Sequence, residues 1–475
     1  MEDSKEKKLI DKEQKPQKKI VKPRIPMPMQ DPKERIKNFN EVELGYTKEM
    51  ALEEALRCLQ CPKPQCVEGC PAGVPIPQFI KLIREEKFIE SAFLITSHNI
   101  LPAVCGRVCP QEDLCEGHCV LGKKYEPVAI GNLQYFVADF ARKSKACYYC
   151  DKEPPNGKKV ACIGSGPASL AVASELIKKG YEVDIYEEYN VPGGVLTYGI
   201  PAYRLPWEII EYETNVLKEN GVKFILNTKV GKDITFEELR QKYNAIFIGI
   251  GANQSLYLRL PGENLKGVIQ ARDYLRLVKE NICFGANNII PTGENVCIIG
   301  GGNVAMDCAR TAKRLPHKSV TIVYRRSLEQ MPARKVEIEH AQQEGVIFKL
   351  LTNPVRFIAD ENGKLKEMEV ISMRLGEPDS SGRPRPIPIE GSEYIIKTDL
   401  VINATGNGAD PSFASAIPEL KTNRWGNIIV NDNMETNIKG VFAAGDIVTD
   451  PLTVVAAIGG GKKAAQSIHK YLSQQ

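Results

Sequence analysis

The sequence predicts an α/β protein in which two doubly wound units, one inserted in the other, follow a small all-helical region. Three observations support this prediction. Glycine-rich turns stand between an apolar strand and a helix at 164–169 and at 300–305. A strand pattern that belongs with the first turn returns near the C terminus. Two groups of cysteines precede the first turn, in a stretch whose apolar residues recur at helical spacing.

Composition and charge exclude several function classes for this chain of 475 residues. A net charge of +4 is too small to indicate nucleic-acid binding. No apolar run reaches the roughly 18 residues that a membrane span requires, and the N terminus lacks the apolar core of a signal peptide. We therefore expect a cytoplasmic protein with reduced thiols. Residues 1–30, rich in lysine interleaved with acids, are expected to form a mobile tail.

The helical region is expected to span residues 31–150. Helical periodicity is present in KEMALEEALRCLQC, in PIPQFIKLIREEKFIESAFLI and in IGNLQYFVADFARK. The first cysteine group is Cys58, Cys61, Cys66 and Cys70, and the second is Cys105, Cys109, Cys115 and Cys119. Thiolates at these spacings are typical ligands of iron–sulfur clusters, and zinc is the alternative. A further pair in the linker, Cys147 and Cys150, is interpreted as free thiols, with a disulfide or a shared metal as alternatives.

The remainder divides into two expected units. The first comprises residues 151–287 and 405–475, and the second comprises residues 288–404, inserted between those two pieces. Strand, glycine turn and helix alternate in both, as in parallel sheets covered by helices.

The first glycine turn follows the strand KKVACI and begins a helix, as in a Rossmann dinucleotide site. Its candidate binding residues are Gly164, Gly166, Pro167, Ala168 and Ser169. The next strand ends in Glu187, about twenty residues on, where a carboxylate can accept ribose hydroxyls. A carboxylate would repel a 2′-phosphate, so this site is predicted to bind FAD.

The second glycine turn has the same context but different chemistry at the end of its second strand. Its candidate binding residues are Gly300, Gly302, Asn303, Val304 and Ala305. The second strand ends in Arg325 and Arg326, and two guanidinium groups would pair with a 2′-phosphate. The site is therefore predicted to bind NADP(H). If both arginines lie on a solvated loop, NADH use stays open.

Near the C terminus, Gly445 and Asp446 follow the apolar strand GVFAA. An aspartate at this position can hydrogen-bond the ribityl hydroxyls of FAD. The alternative is an ordinary turn-forming aspartate.

At this point the chain, from about residue 31 onward, resembles a known family. It is similar to the small subunit of NADPH-dependent glutamate synthase, to the large subunit of the NADH-dependent ferredoxin:NADP oxidoreductase, and to the N-terminal half of dihydropyrimidine dehydrogenase. The matching stretches are RCLQCPKPQCVEGCP, GRVCPQEDLCEGHC, GNLQYF, GSGPAS, PGGVLTYGIPAYRLP, GGGNVAMDCAR, YRRSLEQMPAR and AAGD.

The resemblance implies further site residues. PGGVLTYGIPAYRLP would lie against the flavin, which implicates Gly193, Gly194, Leu196 and Arg204. Two [4Fe–4S] clusters would be ligated, one by Cys58, Cys61, Cys66 and Cys119, the other by Cys70, Cys109, Cys115 and Gln134. Crossed ligation has separate support, because a cysteine before proline ligates the other cluster in two-cluster ferredoxins, and Cys70 precedes Pro71. Counting thiols alone would instead make Cys105 the eighth ligand.

The sequence thus predicts an oxidoreductase that passes electrons from NADPH through FAD and two [4Fe–4S] clusters to a partner. Because the cofactors carry the chemistry, no catalytic acid–base residues are expected. The partner would be a glutamate synthase large subunit, a small NAD-binding flavoprotein subunit or a ferredoxin. The alternatives are the large subunit of an electron-bifurcating ferredoxin:NADP oxidoreductase, a zinc-stabilised docking module, and a nucleotide sensor.

Overall fold

The structure is a computed structural model that describes residues 22–146, 152–379, 382–448 and 453–474. In the part before residue 147, the α-helices are α1 (Pro32–Arg35), α2 (Lys48–Ala55), α3 (Gln65–Glu68), α4 (Ile76–Arg84), α5 (Phe88–Thr96), α6 (Pro102–Val108) and α7 (Ile130–Lys143). These bounds confirm all three helical stretches expected from periodicity. The pair Cys147 and Cys150 lies outside the described residues.

Residues 22–30, which the sequence assigned to a mobile tail, are bonded to the helical region. Arg24 pairs with the buried Glu116 at 2.6 Å. The backbone N–H of Ile25 donates to Glu54 at 2.8 Å. The expected boundary at residue 30 is therefore wrong for these residues, because their partners are buried carboxylates that charge composition cannot identify.

Strands and helices alternate through the rest of the chain. From residue 159 to residue 255 they are β1 (Lys159–Ile163), α8 (Pro167–Lys178), β2 (Glu182–Tyr186), α9 (Val195–Tyr198), α10 (Trp207–Glu219), β3 (Lys223–Ile225), α11 (Phe236–Lys242), β4 (Ala245–Ile248) and β5 (Gln254–Ser255). They continue as β6 (Val268–Gln270), α12 (Ala271–Phe284), β7 (Asn295–Ile299), α13 (Asn303–Lys313), β8 (Ser319–Val323), α14 (Lys335–Gln343), β9 (Ile347–Lys349), β10 (Thr352–Ala359), β11 (Leu365–Pro378), β12 (Pro384–Lys397) and β13 (Leu400–Asn403). The last elements are β14 (Asn407–Gly408), α15 (Pro411–Ser415), β15 (Val441–Ala443) and α16 (Val454–Ser473).

Two parallel sheets confirm the predicted insertion. The first has the order β15-β4-β1-β2-β3, so the chain returns to it only at β15, after the second unit. The second has the order β6-β13-β7-β8-β9. Because β6 and α12 belong to this second sheet and its core, the second unit begins before residue 288, where the sequence placed its boundary. The short antiparallel pair of β5 and β14 joins the two connections between the units.

An antiparallel sheet, β10-β11-β12, was not predicted from the sequence. Its buried side chains, including Phe357, Met368 and Val370, pack with Cys297 and Val323 of the second parallel sheet. This sheet covers one face of the second unit, and its hairpin reaches the end of β8.

The helical region and the two α/β units meet around one buried side chain. Tyr203 follows α9 in the first unit. Its backbone carbonyl oxygen accepts a hydrogen bond from the backbone N–H of Val42 at 2.9 Å. Its hydroxyl donates to the carbonyl oxygen of Asp307 on α13, at 3.0 Å. Contacts of this kind fix the three regions relative to one another. Within the described residues, every helix is too short or too polar to cross a membrane.

Candidate functional site

Four cysteines line one cavity in the helical region. They are Cys58, Cys61, Cys66 and Cys119, and the other side chains around the cavity are mainly apolar. Cys58 follows the end of α2, where Arg84 donates to the carbonyl oxygens of Ala55 and Cys58. These four are the residues that the resemblance assigned to the first cluster.

The thiols of this cavity lie close enough to repel one another as thiolates. Burial, followed by the neighbouring Cys119 and Cys58, raises the pKa of Cys66 to about 12. Thiolate ligands are therefore favoured here only when a cation is present. Among the described residues, no three ligating side chains converge closely enough for a single metal ion.

A second group of thiols lies deeper. A hydrogen bond with the Cys105 thiol, followed by burial, raises the pKa of Cys109 well above its ordinary value, and Cys115 and Cys70 contribute in the same direction. Burial likewise raises the pKa of Cys115. Cys70, Cys105 and Cys115 therefore lie near Cys109 in one group.

The two candidates for the eighth ligand lie on helices in close contact. A Cβ on Gly106 of α6 would lie 2.7 Å from the backbone nitrogen of Tyr135 on α7. Beside this contact stand Cys105 and Gln134. The amide nitrogen of Gln134 donates to the carbonyl oxygen of Pro102 at 2.9 Å, and the Cys105 thiol contacts Cys109 and, at 3.8 Å, Asn99.

The first glycine turn has the geometry of a dinucleotide site. Gly164 has a φ of +86°, and a Cβ there would lie 2.8 Å from the carbonyl oxygen of Gly249. Gly166 precedes α8, so N–H groups at the start of this helix face the turn. Ser169 stands where a third glycine is usual, and Gly249 leaves room for its side chain. Pro167 and Ala168 form the first positions of α8, both buried.

Glu187 lies beside this turn, as predicted. Its carboxylate accepts from the backbone N–H and hydroxyl of Ser165 at 2.9 and 2.5 Å, and from the N–H of Tyr189 at 3.0 Å. Burial raises its pKa. A carboxylate has about four acceptor positions, so one stays available for a ribose hydroxyl.

The PGG loop folds over the first glycine turn. The N–H of Gly193 donates to Ser165 Oγ at 2.9 Å. Gly194 has a φ of +57°, and a Cβ there would lie 3.1 Å from the Cα of Gly166. Only glycine permits this approach without displacing the turn.

Leu196 and Arg204, which belong to the same segment, are bonded to other residues of the protein. Leu196 is fully buried, and its carbonyl oxygen accepts from Lys279 at 3.0 Å. Arg204 forms ion pairs with Asp307 at 2.8 Å and with Glu337 at 3.1 Å. A role for Arg204 in FAD binding stays a prediction, and its observed contacts join the first unit to the second.

The C-terminal segment meets the same turn. Gly445 has a φ of +80°, and a Cβ there would lie 3.2 Å from Ala168 Cβ and 3.7 Å from Ala457 Cβ. Asp446 follows, half-buried, and its carbonyl oxygen accepts from Asn427 at 3.5 Å. The structure thus brings the two predicted halves of the FAD site together.

The second glycine turn repeats the first. Gly300 has a φ of +137°, and a Cβ there would collide with the carbonyl oxygen of Ala404. Gly302 precedes α13, and the Asn303 side chain accepts from the N–H of Arg334 at 2.9 Å. Val304 is exposed, whereas Ala305 is buried in the core of the unit.

The two arginines predicted to bind a 2′-phosphate differ in their surroundings. Arg325 is exposed at the end of β8. Arg326 is 3% exposed and is bound to Asp379 at 2.6 Å and to the carbonyl oxygen of Pro384 at 2.8 Å. Of the two, only Arg325 is exposed, and binding of a 2′-phosphate by these arginines stays a prediction.

The last helix connects the first unit to the cysteines, which sequence reasoning missed. A Cβ on Gly459 would lie 2.5 Å from the carbonyl oxygen of Pro71, next to Cys70. Three residues on, Lys462 donates to the carbonyl oxygens of Ala72 at 3.0 Å and His98 at 2.7 Å. The run of three glycines inside a helix was the available signal, because it allows close approach of another backbone.

Comparisons with known proteins agree with this geometry. Residues 35–146 match the family "dihydropyrimidine dehydrogenase domain II, 4Fe-4S cluster", and residues 158–461 match the pyridine nucleotide-disulphide oxidoreductase family. The glutamate synthase [NADPH] small chain of Azospirillum brasilense is 38% identical over 448 residues, which cover 92% of each chain. The NADP(+)-dependent formate dehydrogenase subunit beta of Moorella thermoacetica is 39% identical over 86% of this chain, which spans 60% of that subunit.

A solved structure extends the likeness of the fold. FprA from Mycobacterium tuberculosis, in complex with NADPH, superposes with a TM-score of 0.58 at 20% identity, over 68% of this chain and 85% of that one. The matched families confirm the predicted oxidoreductase class with FAD, NADP(H) and iron–sulfur cofactors. The chain belongs to the family of the glutamate synthase [NADPH] small chain.

Proposed function

We propose that this chain oxidises NADPH and passes the electrons through FAD and two [4Fe–4S] clusters to a partner subunit, as in a glutamate synthase. FAD, when bound, accepts a hydride and releases single electrons, which iron–sulfur clusters can carry. The residues of the chain supply binding, orientation and proximity. No residue is required to act as an acid or base.

The observation that best supports this proposal is the position of α16. Gly445, Ala457 and the first glycine turn meet on one side of its N-terminal half, and Pro71 lies against Gly459. A single rigid helix therefore contacts both the proposed flavin site and the residue that follows Cys70. This supports a short path between them.

The proposed ligands follow the two thiol groups. Cys58, Cys61, Cys66 and Cys119 would hold one cluster, and their common cavity supports this set. Cys70, Cys109, Cys115 and Gln134 would hold the other. Glu187, Gly193 and Gly194 would bind FAD with Gly445 and Asp446, and Arg325 would bind the 2′-phosphate of NADPH.

The proposal is tested by mixing oxygen-free protein with NADPH and following flavin bleaching and cluster EPR signals separately. We expect about eight iron atoms per chain, four for each cluster, and flavin bleaching before the cluster signals. Cys58→Ser should lower the iron content by about half. Cys283→Ser is the matched control, since this half-buried thiol lies on α12 in the second unit. Flavin that is never bleached, or protein without iron, would refute the proposal.

The contact of α16 with the cysteine segment can be tested in the same experiment. Gly459→Ala forces a Cβ to within 2.5 Å of the Pro71 carbonyl oxygen, whereas a Cβ in Gly460→Ala lies 3.2 Å from Ala444 Cβ and 3.7 Å from the backbone nitrogen of Gly445, and meets no residue of the cysteine segment. We expect Gly459→Ala to slow reduction of the clusters without slowing flavin bleaching, and Gly460→Ala to do so much less. Equal effects would remove α16 from the path.

The names of the relatives, which denote a small chain and a subunit beta, support a partner subunit. We propose a glutamate synthase large subunit as that partner, in the cytoplasm, where the free thiols of the described cysteines would stay reduced. Co-purification from the native source tests this. A bound amidotransferase subunit would support it, and a small NAD-binding flavoprotein would favour the bifurcating enzyme instead.

A further inference from the structure

Residues 193–205 form a continuous segment that touches the first glycine turn and α13, the helix that follows the second turn. At its start, Gly193 and Gly194 pack on the first turn through the contacts given above. At its end, Arg204 binds both carboxylate oxygens of Asp307, at 2.8 and 2.9 Å. Asp307 lies on α13, the helix that begins at the second turn. The segment therefore sets the position of one nucleotide turn relative to the other.

A buried ammonium group holds the middle of this segment. Lys279, on α12, is 3% exposed. Its Nζ donates to three backbone carbonyl oxygens, those of Leu196 at 3.0 Å, Ile200 at 2.6 Å and Leu205 at 3.3 Å. Leu196 lies in the short helix α9, whose last carbonyl groups lack partners within the helix, and Ile200 and Leu205 follow that helix. The three N–H donors of an ammonium group match these three acceptors.

The surroundings of Lys279 make this charge sensitive to pH. Burial lowers its pKa to about 8. The titratable groups that face it are Cys283 on the same helix, Asp307 on α13 and Glu208 on α10, and all three oppose the shift. Asp307 is itself paired with Arg204. Above about pH 8 a neutral amine would offer two N–H donors to three carbonyl groups.

We propose that Lys279 is a positioning residue for hydride transfer, because it fixes the segment 193–205, which packs on the first nucleotide turn and on the helix that begins at the second. This inference rests on the proposed function of the two sites. It assigns the role to a residue on the second unit that touches neither glycine turn and acts only through the segment that it holds.

The test compares Lys279→Met, which removes every donor, with Lys279→Arg, which stays charged at all relevant pH values. Arg276→Met is the matched control, since Arg276 lies one turn earlier on α12 and is paired only with Glu280 among the described residues. Two quantities are measured between about pH 6.5 and pH 9.5. The first is the limiting rate of flavin reduction by NADPH in a single turnover. The second is the visible circular dichroism of the bound FAD without NADPH.

In the wild-type protein the limiting rate should fall and the dichroism should change with a midpoint near pH 8. Lys279→Met should be slower by roughly tenfold to a hundredfold, as expected for a misplacement of the reacting groups, and should lack the midpoint. The apparent Kd for NADPH should stay within about twofold, because Lys279 touches neither turn. Lys279→Arg should also lack the midpoint, and Arg276→Met should keep it.

Wild-type rate and dichroism in Lys279→Met would overturn the inference. If Lys279→Met does not retain FAD, the pH profiles of rate and dichroism in the wild type and in Lys279→Arg are compared instead. The inference would be overturned if these two proteins gave identical profiles, or if the wild-type profile had no midpoint near pH 8. A wild-type flavin that NADPH does not reduce would instead contradict the proposed function, and the dichroism titration would still test Lys279.

Discussion

Arg35 and Glu344 form an ion pair of 2.8 Å whose side chains are 1% and 0% exposed. The pair joins α1 of the helical region to the residue that directly follows α14 in the second unit. Glu344 also binds Arg310 at 2.9 Å and Arg314 at 2.8 Å, so one carboxylate faces three guanidinium groups. Although burial alone would raise its pKa, Arg310 and Arg314 hold the pKa of Glu344 below its ordinary value.

This arrangement predicts that removing Glu344 lowers the free energy of unfolding more than removing Arg35 does. Glu344→Gln leaves three guanidinium groups buried with one carboxylate fewer, and the free energy of unfolding should fall by about 3–5 kcal/mol. Arg35→Met leaves Glu344 with two partners, and the loss should be about 1–3 kcal/mol. Urea unfolding with saturating FAD measures both. Lys37→Met, which breaks the exposed pair with Glu34, is the control and should change stability by less than about 0.5 kcal/mol. Equal losses in the two buried variants would contradict the prediction.

The same cluster contains a buried histidine that should make stability depend on pH. His340 is 2% exposed, and its Nδ1 has no partner among the described residues. Burial, followed by the nearby charge of Arg310, lowers its pKa to about 4, against the opposing effects of Glu337 and Glu344.

Between about pH 6.5 and pH 4 the unfolded chain therefore binds a proton at His340 that the folded chain does not. Stability from this residue is present above pH 6.5 and is lost as the pH falls through that window, by up to about 3 kcal/mol. His340→Gln should remove this contribution. The measurement is the difference in free energy of unfolding between about pH 7 and pH 5, compared with that of the wild type. An unchanged difference in the variant would show that other groups cause the acid sensitivity.

The sequence predicted the strands that are buried on both faces of a sheet, because such strands consist of continuous apolar residues. β1 and β7 are such strands, and each leads into a glycine turn. The antiparallel sheet could not be predicted in this way. β12 is largely exposed, and the pairing of β10 with β11 shifts register at Pro354 and Arg356, so the alternation of apolar and polar residues is interrupted.

At the candidate site, the sequence motifs predicted the glycine turns and the cysteine groups. They could not show which side chains are bound to other residues of the protein and therefore do not face a ligand. Arg326 and Arg325 are adjacent and chemically identical. The partner of Arg326, Asp379, lies 53 residues away on the hairpin of the unpredicted sheet. Arg204 likewise pairs with Asp307, which lies 103 residues away on a helix of the second unit.

This difference predicts distinct effects for the two arginines. Arg325→Gln should raise the KM for NADPH roughly tenfold to a hundredfold, the loss expected for a charge-assisted contact, and leave the KM for NADH and the stability unchanged. Arg326→Gln should lower stability, because Asp379 loses a buried partner. Steady-state reduction of an artificial acceptor measures the KM values, and thermal unfolding measures the stability of each variant. An effect of Arg325→Gln on NADH as large as on NADPH would exclude a 2′-phosphate contact.

The eighth cluster ligand can be decided by two substitutions on neighbouring helices. If Gln134 is the ligand, Gln134→Leu should lower the iron content from about eight towards four atoms per chain, and Cys105→Ala should retain it. Cys308→Ala is the control, since this thiol is fully buried in the second unit.

The reverse result would identify Cys105 as the ligand. The proximity of Cys105 to Cys109, which raises the pKa of Cys109, would then be that of two ligands of one cluster. Cluster charge also separates the two cases, because an amide ligand is neutral and a thiolate is not. Reductive titration followed by EPR should therefore find the cluster with the amide ligand at a higher potential than a Gln134→Cys variant in which a thiolate replaces it.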